Sequence, residues 1–117
     1  MHDTPLVSIL MNCFNGERYL SDAIDSVINQ TYSNWELIFW DNQSTDKSKA
    51  IFDSYEDDRL KYHYSNEHTD LGGGRANAFK YLSGDFIAVL DTDDLWLPDK
   101  LKKQLNMFND PEVGIVI

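Results

Sequence analysis

The sequence predicts an α/β protein, a mainly parallel sheet in a three-layer, Rossmann-like α/β/α arrangement with helices on both faces. Three observations predict it. Runs rich in Val, Ile and Leu recur at residues 6–11, 35–40 and 86–90, continuous rather than alternating, as in strands buried on both faces. Between such runs lie stretches whose apolar residues return every three or four positions, the spacing of one helix face. Each run also ends in polar or acidic residues, and open α/β sheets bind ligands at that end of their strands. Strands that alternate with helices imply parallel pairing through right-handed crossovers.

The elements follow in order. Residues 6–11 form the first strand and run into Asn12-Cys13-Phe14-Asn15-Gly16, whose Asn and Gly are turn residues. Tyr19, Leu20, Ala23, Ile24, Val27 and Ile28 mark one helix face, closed by the polar stretch 29–34. The second strand, 35–40, ends at Asp41. Ser44 or Thr45 is suited to cap the next helix, with Asp46 in its first turn and Ala50, Ile51 and Tyr55 inward. Glu56-Asp57-Asp58 reads as a solvated turn, and 60–64 alternates as a third, shorter strand. Gly72-Gly73-Gly74 leads into a helix over 75–82, which Ser83-Gly84 stops. After the strand at 86–90, Pro98 suits a first helical turn, with Leu101, Leu105 and Phe108 on one face. Residues 113–117 read as a last strand, so the chain is expected to be the front part of something longer.

The chain has 117 residues, 42% of them hydrophobic, enough for one domain over 1–117 with its own core. A net charge of −10 is the wrong sign for a nucleic-acid footprint and offers no attraction to anionic lipid. No apolar run approaches the roughly 20 residues of a membrane span. The N-terminus lacks the basic and apolar regions of a signal peptide. Cys13, the single cysteine, sits in an apolar stretch as a buried inert thiol, which fits a reducing compartment. The sequons at Asn29 and Asn42 carry no weight in that setting.

Chemistry concentrates at the strand ends. The first strand supplies Asn12 and Asn15, the second Asp41, and the strand at 86–90 the acids Asp91, Asp93 and Asp94. Crowded carboxylates repel one another unless a cation joins them. Their oxygens suit Mg²⁺ or Mn²⁺, which usually leaves part of its shell to water and substrate phosphate. A metal with a diphosphate is therefore a coherent filling for the crevice. Asp41 is placed to accept hydrogen bonds from a base or ribose, and Arg75 to supply positive charge. The glycines 72–74 lack the Lys-Ser/Thr of a P-loop and read as a flexible loop. His63 and His68 show no metal-site pattern, and Trp96 fits core packing at least as well as a sugar pocket.

Four segments carry a resemblance to a known family. They are residues 7–16, with the turn Phe14-Asn15-Gly16; residues 26–38, with Gln30-Thr31; Asp41-Asn42-Gln43-Ser44-Thr45-Asp46; and residues 84–94, ending in Leu90-Asp91-Thr92-Asp93-Asp94. In order and spacing they resemble the N-terminal, nucleotide-sugar-binding half of family 2 glycosyltransferases of the GT-A fold. That resemblance implies Asp41 and Arg75 at the donor base, and Asp91 and Asp93 as the DxD pair that holds ribose and the metal-diphosphate. Asp94 matches a common third acid, and the backbone from Met11 to Asn15 lines the nucleoside pocket. It also implies an inverting transfer from a UDP-sugar to a hydroxyl of a glycan or lipid-linked acceptor, with Mn²⁺ or Mg²⁺. The catalytic base is expected beyond Ile117. A cytoplasmic location follows, with peripheral attachment at the inner membrane face left open. Departures fall at Asn42 and Gln43, where the family motif has Asp and Gly, and at residues 74–78. They bear on donor identity more than on fold. Two alternatives stand beside this reading: a non-catalytic nucleotide- or metal-binding fragment, and a nucleotidyltransferase of related fold. The latter expects a Gly-rich basic loop after the first strand, unlike residues 12–16.

Overall fold

The structure, a computed structural model, describes residues 5–66 and 81–107. Its elements are β1 (Val7–Cys13), α1 (Leu20–Ile28), β2 (Trp35–Asp41), α2 (Ser48–Asp53), β3 (Leu60–Tyr64), β4 (Phe86–Val89) and α3 (Lys100–Met107). The strands form one parallel sheet in the order β3-β2-β1-β4. The two longest strands, β1 and β2, lie at the centre, where both faces are covered, and this is why their sequences are apolar without alternation. The expected helix over 75–82 and last strand over 113–117 lie largely or wholly outside the described residues.

One face of the sheet carries the main core. Val7, Ile9, Met11 and Cys13 of β1 pack with Trp35, Leu37 and Phe39 of β2 and Phe86 and Ala88 of β4. Leu20, Ala23, Ile24 and Val27 of α1, Phe52 of α2 and Leu101 of α3 cover them. All three described helices therefore sit on this face. The opposite face holds a smaller cluster, Leu10, Ile38 and Trp40, with Leu82 against it.

Two helix expectations change. Neither Ser44 nor Thr45 caps α2; Lys47 stands at its N-cap, and the Ser48 N–H is taken by Asp46 Oδ1 at 2.9 Å. Ala50 is exposed, whereas Ile51 and Tyr55 pack half-buried against the core as expected, and α2 buries Ser48 and Phe52. The helix starts later than its capping residues suggest because the preceding loop is committed to the strand edge. Tyr19 likewise stands at the N-cap of α1, 47% exposed, instead of on its buried face.

At the edge where the strands begin, a buried polar knot sets the start of β4. Glu36, 3% exposed, accepts the Ser8 hydroxyl at 2.6 Å, the Ser83 N–H at 2.9 Å and Lys61 Nζ at 2.9 Å. Ser8 Oγ in turn accepts the Gly84 N–H at 2.7 Å. Gly84 lies so close to β1 that a Cβ there would meet Leu6 O and Ser8 N, both at 2.7 Å. A glycine is needed there for β4 to reach its pairing with Val7 through Phe86.

Candidate functional site

Because every described strand is parallel, the C-terminal ends emerge together, and the loops 14–19, 42–47 and 90–99 leave from one edge. Cys13 is paired with Asp41 in register, so the first two loops start side by side.

Asp41 is buried, 1% exposed. Its Oδ1 accepts the Ser44 N–H at 2.8 Å and its Oδ2 accepts the Tyr62 hydroxyl at 2.6 Å. A carboxylate offers about four lone-pair positions, so these bonds leave about two for a ligand. Burial, and then the Asp41 carboxylate beside it, push the Tyr62 phenol far above its ordinary range, so it stays a donor. No motif marks Tyr62 as a site residue in the sequence. Its one signal was its place in an alternating strand; its contact with Asp41 arises from the pairing of β2 with β3.

Asp91, Asp93 and Asp94 converge: one carboxylate oxygen from each lies within 4.8 Å of the others, with Asp91 half-buried and the other two exposed. The Asp94 N–H donates to the Asp91 carbonyl at 3.0 Å, which closes the turn. An all-oxygen cluster of this kind fits a hard divalent cation such as Mg²⁺ or Mn²⁺. The β1–α1 loop lies directly against the turn, since a Cβ on Gly16 would meet Thr92 Oγ1 at 2.9 Å and Cys13 Sγ at 3.2 Å.

Asn12 is half-buried near the end of β1, and its Oδ1 is buried without a hydrogen-bond partner among the described residues. A buried acceptor without a donor marks a position where a ligand or water group fits. Asn15 stands differently. Its Oδ1 already accepts the Thr45 N–H at 2.7 Å and the Asp46 N–H at 3.3 Å. Arg75 and residues 72–74 lie outside the described residues.

The residues read as ordinary take structural places. His63 stacks on Tyr81, ring centres 3.9 Å apart, and burial followed by Lys61 holds its pKa below the usual imidazole value. Burial pushes the Cys13 thiol up, which suits an inert core cysteine. Trp96 packs against the main core with the Lys100 ammonium 4.9 Å from its ring centre.

The description glycosyl transferase family 2 belongs to the family model that matches residues 8–117. The chain belongs to glycosyl transferase family 2. It is 42% identical over 105 residues to the Escherichia coli UDP-Glc:alpha-D-GlcNAc-diphosphoundecaprenol beta-1,3-glucosyltransferase WfgD, an alignment that covers 90% of this chain and 42% of WfgD. Among solved structures it resembles TarS 1-349 of S. aureus in complex with UDP-GlcNAc (TM-score 0.81, 25% identity), over 86% of this chain and 30% of that one. It also resembles the mannosyltransferase PcManGT of Pyrobaculum calidifontis, in complex with GDP-Man and Mn²⁺ (TM-score 0.85, 22% identity), over 93% of this chain and 34% of that one. The fold is therefore GT-A, and the chain spans less than half the length of these proteins.

Seen as family 2 motifs, several residues acquire physical reasons. The Gln30-Thr31 pair joins α1 to the segment after the acids: Gln30 Nε2 donates to Leu97 O at 2.7 Å, its Oε1 accepts the Leu101 N–H at 3.1 Å, and the Thr31 N–H donates to Pro98 O at 2.9 Å. Gln43 adopts φ 64°, the left-handed backbone for which the family motif carries glycine. The departure at Gln43 thus keeps the turn and adds a side chain to it. No helix among the described residues is long and apolar enough to cross a membrane.

Proposed function

We propose that this chain forms the donor-binding part of a metal-dependent, inverting glycosyltransferase that uses a UDP-sugar and a hydroxyl acceptor. The observation that carries the reading is the convergence of Asp91, Asp93 and Asp94 at the strand edge, against the β1–α1 loop, in a family 2 domain. In this reading Asp93, Asp91 and Asp94 hold Mn²⁺ or Mg²⁺, and Asp91 also faces the ribose. A bound metal would offset the charge that develops on the departing diphosphate.

Asp41 and Arg75 face the base. Asp41 suits the task because Ser44 and Tyr62 fix its carboxylate as an acceptor, the partner that a uracil imino N–H requires. Asn12 supplies a further acceptor from β1. TarS, at 25% identity, was solved with UDP-GlcNAc, and WfgD, at 42%, is named for a UDP-Glc donor and a diphosphoundecaprenol-linked acceptor. These support a UDP-sugar donor and a glycan or lipid-linked acceptor. Transfer also needs a general base for the acceptor hydroxyl, and none of the donor contacts named above takes that role.

Calorimetry with UDP and Mn²⁺ tests the reading. The wild type should bind UDP more tightly with Mn²⁺ than without it, and Asp93→Ala should lose at least about tenfold of the metal-dependent affinity, the scale of one charge-assisted contact. Equal metal-dependent binding in the two proteins would refute the assignment.

A further inference from the structure

We propose that Asn15 is a positioning residue: its side-chain oxygen clips the β2–α2 loop to the β1–α1 loop, and so holds the base-reading end of the site in register with the acid turn. This rests on the donor-site reading above and deepens it. It gives the Asn15 side chain a task of its own beside the lining of the nucleoside pocket that the family resemblance implies for the backbone from Met11 to Asn15.

The geometry is reciprocal. The Asn15 N–H donates to Ser44 Oγ at 2.9 Å, while Asn15 Oδ1 accepts the N–H groups of Thr45 and Asp46. The next residues repeat the stitch: the Gly16 N–H donates to Ser48 Oγ at 3.0 Å, the Glu17 N–H to Asp46 Oδ2 at 3.0 Å, and the Lys47 N–H to Glu17 Oε2 at 3.3 Å. Backbone donors ahead of α2 thus find acceptors in a loop about thirty residues earlier, instead of in a local cap. Both loops are shaped for this, with Asn15 at φ 51° and Gln43 at φ 64°. Asn is among the side chains that tolerate that backbone best.

Each end of the clip reaches a proposed donor contact. Ser44, which receives the Asn15 N–H, gives its own N–H to Asp41. Gly16, the neighbour of Asn15, lies against Thr92, between Asp91 and Asp93. The bonds from the Asn15 side-chain oxygen to Thr45 and Asp46 thus reinforce the backbone contact by which the Asp41 turn and the acid turn share one support. The acceptor Oδ1 does the work, and the amide nitrogen makes no hydrogen bond among the described residues.

That asymmetry makes the test. In the full chain, Asn15→Ala and Asn15→Gly should each weaken Mn²⁺-dependent UDP binding by about fivefold or more, the worth of roughly one to two hydrogen bonds. Asn15→Gly removes the side chain without backbone strain, so agreement between the two assigns the loss to the clip. Asn15→Asp keeps an acceptor and should stay within about threefold of wild type. Amide exchange read without ligand should quicken at Thr45 and Asp46 in the Ala and Gly variants and stay slow in Asn15→Asp. Wild-type affinity in Asn15→Ala, or a loss in Asn15→Asp as large as in Asn15→Ala, overturns the inference while the donor site stands. Absence of any UDP binding by the wild type removes the donor-site reading, and the inference with it.

Discussion

Gln43 shows how much a single backbone angle explains. At φ 64° a residue with a Cβ is strained by roughly 1–2 kcal/mol, and the one side-chain bond of Gln43 among the described residues, to Ser65 O, is long at 3.5 Å. Glycine would relieve the strain, less the roughly 0.5–1 kcal/mol of extra chain entropy it loses on folding. Gln43→Gly should therefore raise stability by up to about 1 kcal/mol, read as a higher urea midpoint. A midpoint below wild type would show that the Gln43 side chain stabilises the turn. At this scale the sequence was legible where a missing Cβ lets chains approach, as at Gly84 and Gly16. It was not legible for Asn15, whose side-chain oxygen is committed to Thr45 and Asp46 by contacts that local sequence does not encode.

At the scale of elements, α3 depends on a residue just beyond the end of another helix. The first backbone N–H groups of a helix lack internal partners, and α3 has Gln30 of the α1 end serving Leu101. Gln30 is 7% exposed and also donates to Ser26 O and Leu97 O. Gln30→Ala strands buried groups on both sides and should cost about 2–3 kcal/mol, more than an average single hydrogen bond. Equilibrium urea unfolding measures it, and a loss under about 0.5 kcal/mol would mean that water replaces the amide. Helix positions followed from periodicity, since Leu20, Ala23, Ile24 and Val27 are all buried. The start of α2 did not, because Ser44 and Thr45 look like a local cap and bond to the neighbouring loop instead, while Asp46 serves both Ser48 and Glu17.

At the scale of the molecule, the knot around Glu36 ties β1, β2, β3 and the approach to β4. Burial alone would raise the Glu36 pKa. The bonds from Ser8, Ser83 and Lys61 outweigh it and hold the carboxyl below its ordinary range. A group depressed in the folded state adds stability that is fully present above its unfolded value, about 4.3, and is lost as pH falls through the folded value. Asp57, held down first by Arg59, adds to the same slope. Stability should thus be flat near neutrality and fall below about pH 4.3. Glu36→Gln should be less stable at pH 7 by about 2–3 kcal/mol, because an amide nitrogen would face donors, and should fall less steeply in acid. Melting curves from pH 3 to pH 7 compare them, and parallel profiles would show that Glu36 carries none of the slope.

By itself the sequence determined the alternation of strand and helix, the acids at the strand ends and the family, because periodicity and short motifs are local properties of a chain. Only the tertiary structure decided which groups meet. The order β3-β2-β1-β4 brings Tyr62 to Asp41, Gly16 to Thr92 and Ser83 to Glu36. Each of those contacts joins different strands or loops, and their side chains could be paired only once parallel register had brought their backbones together.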